Sequence, residues 1–403
     1  MRFLFSAAFV FLGFFASAQE KFTLNGYVKD SASGESIIGA TVSINGSSVT
    51  SNQYGFYSIT LEPGTYEVLV SHVAYLTQTF QLKLEKNLGY DILLISRAAA
   101  MNEVVVSARK RDNNVKTAQM GKIDLSVNQV KNIPAFFGEV DVLKAIQLLP
   151  GVRNAGEGNA GFYVRGGGPD QNLILLDDAV VYNTGHLFGF FSIFNSDAIK
   201  NVSLIKGGMP AQYGGRLSSV LDVSMKDGNS NEFQGEGGIG LIASRFSIQG
   251  PIKKDKASFI LSGRRTYVDA LVKPFVKKSS NFYGSGYYFY DLNAKVNYRF
   301  SEKDRLYLSG YFGRDVFTFR NKELSFNADI PWGNSTATLR WNHVFNRKLF
   351  ANTTLVYNDY KFSFGAAQND FEVKLTSGIR DGNAKIDFDY YPAAGHRMKF
   401  GAM

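Results

Sequence analysis

Apolar and polar residues alternate in short runs between residue 22 and about residue 97. From residue 65 to residue 70, for example, the sequence Thr-Tyr-Glu-Val-Leu-Val places an aromatic or aliphatic side chain at every second position. A period of two is typical of half-buried strands, and turns rich in Gly, Asn and Pro separate the runs. The pattern therefore predicts a small antiparallel β-sandwich. Its strands are expected at residues 22–28, 40–44, 55–60, 66–70, 78–84 and 90–95.

The pattern changes between about residue 114 and residue 227, where helical and strand periods are mixed. Apolar residues share one face of a predicted helix over 138–149, and Pro150-Gly151 ends it. A second, short helix is predicted over 196–200. Short strands are predicted at 162–165, 173–176, 202–205 and 217–225, so this part is expected to be a compact α/β module.

Strict alternation returns at 289–300, where the even positions from 290 to 300 are aromatic or aliphatic and the odd positions from 291 to 299 are polar or charged. A strand of a transmembrane barrel needs this pattern over about ten residues. A soluble sandwich also alternates, but aromatic side chains near the strand ends and a charged opposite face favour a membrane barrel. Further strands of the same kind are predicted at 306–319, 336–345, 350–364, 385–390 and 398–403.

The spacing of the turns gives the orientation of the predicted barrel. With strands one and two at 233–241 and 243–250, the short turns at 253–256, 301–304, 346–348 and 391–396 all follow even-numbered strands. Short turns belong on the periplasmic side of such barrels, which leaves longer outer loops at 268–287, 320–333 and 365–370. Lys and Arg residues at the short turns would either meet anionic outer-membrane lipid or be ordinary solvated residues.

The composition of the chain excludes several kinds of chemical site. The chain has 403 residues, a net charge of +9 and no cysteine, which excludes a disulfide scaffold and a thiolate metal site. None of the four histidines belongs to an H-E-x-x-H motif, and no triad or paired-carboxylate spacing stands out. We therefore predict no enzyme activity, no catalytic residue, no metal site and no cofactor. The positive charge is not gathered on one face, which argues against nucleic-acid binding.

The first residues carry an export signal. Met1-Arg2 precedes an apolar run, and Ala16-Ser17-Ala18 fits the cleavage pattern of a secretory signal peptide, which we predict at 1–18. Farther along, Glu103-Val104-Val105-Val106 is a short extended run with polar and basic residues after it. Such a run can pair with the edge strand of a partner protein. From these residues alone, a last sandwich strand or a plain linker fits equally well.

Several strings resemble known families. Segments 25–28, 38–42, 52–59 and 63–66 resemble a carboxypeptidase regulatory-like (transthyretin-like) domain, a resemblance that implies no peptidase activity. The run 103–106 resembles a TonB box. Segments 141–152, 163–167, 172–178, 199–208 and 210–216 resemble, in the family's order, the plug domain of TonB-dependent outer-membrane receptors.

The resemblance implies a mainly β fold in which an N-terminal β-sandwich and an α/β plug domain precede about nine strands of a transmembrane β-barrel of about 22 strands. The residues after 227 are too few for a whole barrel, so the sequence is expected to be the C-terminally incomplete part of a longer receptor. The implied segments are the signal peptide (1–18), the carboxypeptidase regulatory-like sandwich (19–97), the TonB box and linker (98–113), the plug domain (114–227) and the partial barrel (228–403).

A member of this family is expected in the outer membrane of a Gram-negative bacterium, with its N-terminal domain in the periplasm. The resemblance implies TonB-dependent active uptake of a ligand such as a siderophore or an oligosaccharide, energised by the TonB complex. A starch-utilisation-type receptor, with a surface lipoprotein partner, stays open. The alternative is a cell-surface binding or signalling protein that uses the same scaffold without transport.

The same resemblance points to two sets of site residues. TonB is expected to bind Glu103, Val104, Val105 and Val106. In the outward-facing plug loops, aromatic rings and one histidine could stack on a sugar or hold a metal chelate, although packing against the barrel wall is the simpler interpretation for any one of them. The candidate ligand contacts are Glu157, Asn159, Asn183, His186, Phe188, Phe190 and Phe191.

Overall fold

The computed structural model describes residues 20–97, 121–131, 133, 139–156 and 160–403. The predicted signal peptide and the predicted TonB box at 103–106 lie outside these residues. Within them, strands dominate and form three units: a sandwich (residues 20–97), a middle module (121–225) and one large antiparallel sheet (234–402). None of the helices in the described ranges is long and apolar enough to cross a membrane.

The sandwich packs two four-stranded sheets face to face. Its strands are β1 (Phe22–Asp30), β2 (Thr41–Ile44), β3 (Ser47–Thr50), β4 (Phe56–Leu61), β5 (Gly64–Ser71), β6 (Gln78–Leu84), β7 (Leu88–Gly89) and β8 (Ile92–Leu94). One sheet has the order β4-β1-β7, with β8 also paired to β1, and the other has the order β3-β2-β5-β6. Val42, Val68 and Val70 are fully buried between the sheets.

Two details of the sandwich differ from the prediction. Asn45 and Gly46 both have positive φ (46° and 77°) and close a two-residue hairpin, so β3, which was not predicted, follows directly after the turn. The strand predicted at 90–95 is shorter, because β8 covers only residues 92–94. The Asp91 carboxylate accepts a hydrogen bond from the N–H of Tyr27 (2.9 Å), and this side-chain bond stands between the short pairings of β7 and β8 with β1.

The middle module has a five-stranded sheet of order β13-β12-β17-β16-β9 and two small hairpins, β10–β11 and β14–β15. Its elements are β9 (Lys122–Ser126), α1 (Val127–Lys131), α2 (Val142–Gln147), β10 (Val152–Asn154), β11 (Phe162–Val164), β12 (Asn172–Leu176), β13 (Ala179–Val180), β14 (Gly185–His186), β15 (Phe191–Ser192), β16 (Ile199–Ile205) and β17 (Ser219–Met225). Single 3₁₀ turns lie at Pro169–Gln171 and Leu187–Gly189.

The helix predictions in this module need correction. The predicted helix at 138–149 is shorter, because Asp141 caps α2 by accepting hydrogen bonds from the N–H groups of Leu143 (2.8 Å) and Lys144 (3.2 Å). The helix predicted at 196–200 is wrong. A turn occupies residues 196–198, and the chain then enters β16, which pairs with strands on both of its sides. The edge strand β9 was not predicted.

The large sheet is an antiparallel meander of nine strands, in which each strand pairs with the next along the chain. Its elements are β18 (Gln234–Ile239), β19 (Ala243–Lys253), β20 (Ala257–Thr266), α3 (Val268–Val272), a 3₁₀ turn (Lys273–Phe275), β21 (Gly286–Arg299), β22 (Asp304–Asn321), β23 (Phe326–Asn346), β24 (Leu349–Gln368), β25 (Phe371–Tyr390) and β26 (Met398–Ala402).

The large sheet buries its polar face. On β21, Asp291, Asn293 and Lys295 are 2–3% exposed and face the middle module, whereas Leu292 and Val296 are more than 40% exposed on the other face. The predicted alternation is therefore confirmed, with charged residues inside and apolar residues outside. This arrangement suits a sheet with a polar interior and a lipid-facing exterior.

We name the two ends of the large sheet by their connections. The turn end holds residues 254–256, 300–303, 347–348 and 391–397, and the loop end holds 240–242, 267–285, 322–325 and 369–370. The long connections expected at 320–333 and 365–370 are wrong, because β22 to β25 continue through most of those residues. Pro331 fits inside β23 because it has no pairing partner on β24. Its missing N–H therefore breaks no hydrogen bond with that strand.

The sandwich packs against the turn end. The ring of Phe56 is fully buried and stacks on Phe350 with ring centroids 5.3 Å apart, next to Val344 and Tyr391. Tyr54 also stacks on the ring of Phe350, with ring centroids 5.4 Å apart. The sandwich thus packs at the turn end, and the middle module lies against the polar face of the sheet.

Candidate functional site

A cavity of about 540 Å³ separates the middle module from the loop-end half of β23 and β24. Its walls are rich in aromatic side chains from both units. The aromatic residues are Phe162, Tyr182, Phe188, Trp332, Tyr360 and Phe362. The polar and charged residues are Asp170, Asn172, Asn183, Thr184 and Arg216.

The aromatic walls are held in place by contacts between the two units. Phe188, from the middle module, lies 5.0 Å from Trp332 and 5.5 Å from Phe317 between ring centroids. Tyr182 packs near Tyr360 at 6.4 Å and donates a hydrogen bond to Asp381. Flat rings at such spacings offer faces on which a ligand ring can stack.

His186 lies behind this wall and is 1% exposed. Its Nδ1 is 2.7 Å from Asp315 on β22, its Nε2 is 3.3 Å from Asp291 on β21, and its ring stacks on Phe289 at 4.0 Å. Burial alone would lower the pKa of His186, but the carboxylates of Asp315 and Asp291 outweigh it and raise the pKa above its ordinary value. The ring therefore joins the middle module to the sheet through two buried carboxylates.

The two residues after His186 have an unusual backbone. Leu187 (φ 50°) and Phe188 (φ 55°) are both left-handed, and Gly189 (φ 107°) follows them. This conformation costs roughly 1–2 kcal/mol for each residue that carries a side chain. The N–H of Leu187 donates to the Asp315 carboxylate at 3.1 Å, so the sheet contributes to holding the turn.

The predicted ligand contacts separate into three groups. Asn183 and Phe188 line the cavity. His186 and Phe191 are buried beside it, and Phe190, which is 44% exposed, is not part of its wall. Glu157 and Asn159 lie outside the described residues.

Sequence reasoning missed the wall residues of the sheet. Trp332, Tyr360 and Phe362 are three of the six aromatic residues in the wall, but Trp332 lies in a stretch expected to be a loop. One signal could have found it: residues 326–346 continue an alternation across Pro331, which then places Trp332 on the polar, inward face.

Charged side chains hold the middle module against the polar face of the sheet. Lys295 on β21 lies 2.9 Å from both Asp177 and Asp227, and all three side chains are largely buried. Arg340 on β23 lies 2.6 Å from Asp178. Burial would raise the pKa of the Asp178 carboxyl, but Arg340 and Lys385 lower it below its usual range. These pairs satisfy charges that would otherwise be buried alone.

On the other side of the middle module, the sandwich covers its sheet. The amide of Gln53 donates to Tyr213 and Asp222, both at 3.1 Å. Burial, together with the nearby Asp178, raises the pKa of the Asp222 carboxyl to about 6. Glu35 accepts the N–H groups of Asp227 (2.5 Å) and Gly228 (3.0 Å). The cavity is therefore at the loop end, whereas the turn-end side is covered by the sandwich.

Two family models match the chain, one over the sandwich and one over the middle module. Residues 24–106 match the model of the CarboxypepD_reg-like domain, and residues 123–219 match the model of the TonB-dependent Receptor Plug Domain. The first match continues through residues 103–106, the predicted TonB box. The chain thus joins a CarboxypepD_reg-like domain to the plug domain of TonB-dependent receptors, and the middle module is that plug domain. No curated protein matches the chain in sequence.

Solved structures of outer-membrane receptors have a similar fold. The outer membrane transporter YddB from Escherichia coli is 12% identical, with a TM-score of 0.50 over 70% of this chain and 47% of that one. The siderophore receptor PirA from Acinetobacter baumannii is 15% identical (TM-score 0.49, 70% and 47%). The ferric enterobactin receptor PfeA from Pseudomonas aeruginosa is 16% identical (TM-score 0.47, 70% and 48%). The chain spans about half the length of these receptors.

Proposed function

We propose that the protein is an outer-membrane receptor that binds a ligand at the loop end and imports it into the periplasm with energy from TonB. The observation that carries this proposal is the aromatic cavity of about 540 Å³ between the plug domain and the polar face of the sheet. The loop end is then extracellular, and the sandwich and the short turns are periplasmic.

The position of the middle module supports transport. It lies against the inward face of the strands and is held there by charged pairs such as Lys295 with Asp177 and Asp227. Ion pairs hold a domain firmly, but water can replace each partner when the domain moves. A plug fixed by charges, rather than by a continuous apolar core, can therefore be displaced without exposing a large apolar surface.

The chain segment between the sandwich and the plug is where TonB would pull. Residues 98–120 join β8 to β9, and β9 is the edge strand of the plug sheet, paired on one side with β16. An extended backbone at 103–106 offers N–H and C=O groups to an edge strand of TonB. We therefore keep Glu103, Val104, Val105 and Val106 as the proposed TonB contacts.

The cavity favours a ligand whose rings can stack on aromatic side chains. Tyr182, Phe188 and Trp332 offer ring faces, and Arg216 adds a positive charge at the wall. Sugar rings of an oligosaccharide and aromatic rings of a metal chelate both stack on such side chains. Siderophores and oligosaccharides are thus the two ligand classes that we would test first.

The proposal is tested by binding to cells that display the receptor, with ferric enterobactin, maltoheptaose and cobalamin as probes. We expect one probe to bind, and Trp332→Ala to weaken its binding at least tenfold because a wall of the cavity is lost. Trp341→Ala is the matched control, since Trp341 lies on the outward face of the same strand and is 45% exposed. Equal effects of the two substitutions would reject the cavity as the binding site.

A further inference from the structure

His186 connects three elements although its ring does not line the cavity. It belongs to the plug domain, and its two ring nitrogens reach carboxylates on neighbouring strands of the sheet, Asp315 at 2.7 Å and Asp291 at 3.3 Å. Arg264 also pairs with Asp291, at 2.7 Å. Among the described residues, Asp315 has no ion pair other than that with His186. The His186–Asp315 pair is therefore an ion-pair link between this loop and β22, beside the contact of Phe188 with Phe317.

The same carboxylate also holds the backbone that follows. One oxygen of Asp315 binds the His186 ring and the other accepts the N–H of Leu187, while the Tyr287 hydroxyl donates to the Asp315 carboxylate. Leu187 and Phe188 are left-handed, a conformation that residues with large side chains seldom adopt. A conformation of this kind persists only where its surroundings determine it.

The consequence of this turn is the position of Phe188. Its side chain is 57% exposed, yet it stands in the cavity against Trp332 and Phe317. The loop that carries it is closed tightly, since a Cβ on Gly185 would come within 2.8 Å of Gly189. If the loop relaxed to right-handed backbone, the ring of Phe188 would leave the wall.

We propose that His186 is a positioning residue for ligand binding: with Asp315 it locks the left-handed turn that places Phe188 in the cavity. The lock joins plug to sheet, so displacement of the plug also withdraws Phe188 and weakens the hold on the ligand. This inference rests on the proposed function, because it takes the cavity as the ligand site. It assigns a part in ligand binding to a residue outside the cavity wall.

The test needs a readout that is independent of ligand identity. A 4-fluorophenylalanine introduced at position 188 reports the surroundings of that ring by ¹⁹F NMR. In His186→Gln, we expect the signal to shift and broaden, because the ring nitrogen that lies 2.7 Å from Asp315 is gone. His343→Gln is the matched control: His343 lies 2.7 Å from Asp304, but at the turn end, and its replacement should leave the signal unchanged.

Two additional variants separate positioning from general loosening. Leu187→Gly in the His186→Gln background should restore much of the original signal, because glycine adopts the left-handed turn freely. If His186→Gln does not assemble, Asp315→Asn, which keeps the size and one acceptor oxygen, takes its place with Asp304→Asn as control. An unchanged ¹⁹F signal in the assembled variant would overturn the proposal.

A binding experiment tests whether the His186–Asp315 pair affects the ligand. With whichever of ferric enterobactin, maltoheptaose and cobalamin binds, His186→Gln should weaken affinity about tenfold, and should cause no further loss in a Phe188→Ala background. Additive losses would show that His186 does not act through Phe188. If none of the probes binds, the proposed ligand site fails that test while the ¹⁹F result still decides the role of His186.

Discussion

The sandwich and the large sheet are both built from strands that alternate apolar and polar residues, but they bury opposite faces. In the sandwich, Val68 and Val70 are fully buried, whereas Leu69 between them is 40% exposed. On β21 of the large sheet, Asp291 and Lys295 are buried, whereas Val296 is 41% exposed. A period of two thus specifies a strand without specifying which face is covered.

The sandwich and the large sheet bury opposite faces because different partners cover them. The apolar face of one sandwich sheet meets the apolar face of the other, so burial removes hydrocarbon from water. The polar face of the large sheet meets a plug domain that supplies matching charges, such as Asp177 and Asp227 for Lys295. Its apolar face is then left exposed, an arrangement that suits the strands of a membrane barrel.

The largest loss of stability is expected when a buried ion pair between the plug and the large sheet is broken. Lys295→Ala leaves Asp177 buried without its cation, although Asp227 keeps Lys200 at 2.8 Å, and should destabilise the packing of plug on sheet by about 3 kcal/mol. The measurement is urea unfolding of the protein in detergent micelles, followed by circular dichroism.

Lys361→Ala is the control for Lys295. Lys361 pairs with Asp359 at 3.4 Å, but its side chain is 66% exposed, so its loss should matter by less than about 1 kcal/mol. Comparable effects of the two substitutions would mean that the inward charges do not hold the plug.

A smaller effect is expected in the sandwich. Val68→Ala removes two methyl groups from a closed apolar core and should destabilise the sandwich by roughly 2 kcal/mol. Leu69→Ala, one residue farther along the same strand, should change stability by less than about 1 kcal/mol because that side chain is partly in water. Thermal unfolding of the two variants checks the order, and a larger loss for Leu69 would contradict the assigned faces.

Much of the fold could be predicted because local patterns were consistent with it. The strand at 78–84 was predicted with its observed ends, and the alternation at 289–300 correctly gave a strand with a charged inner face. The failures have local causes. Asp141 shortens a helix by capping it, and Pro331 and Gly333 resemble a loop although they lie within a long strand whose neighbour leaves Pro331 unpaired.

The candidate site was less predictable. Asn183 and Phe188 were identified because the plug resemblance marks their loop, but Trp332 and Tyr360 come from strands far away in sequence. The role of His186 depends on Asp291 and Asp315, more than 100 residues later, and no spacing rule connects them. Contacts made by the tertiary fold alone are invisible to pattern analysis of a single sequence.

The proposed uptake through residues 103–106 can be checked by measuring binding and energised uptake of the bound probe on the same cells. Val105→Pro removes an N–H donor that strand pairing with TonB requires, whereas Ala100→Pro places proline outside the box as a control. If residues 103–106 pair with TonB, Val105→Pro should abolish uptake and leave binding unchanged. Ala100→Pro should preserve both. Undiminished uptake in the Val105→Pro variant would contradict this pairing.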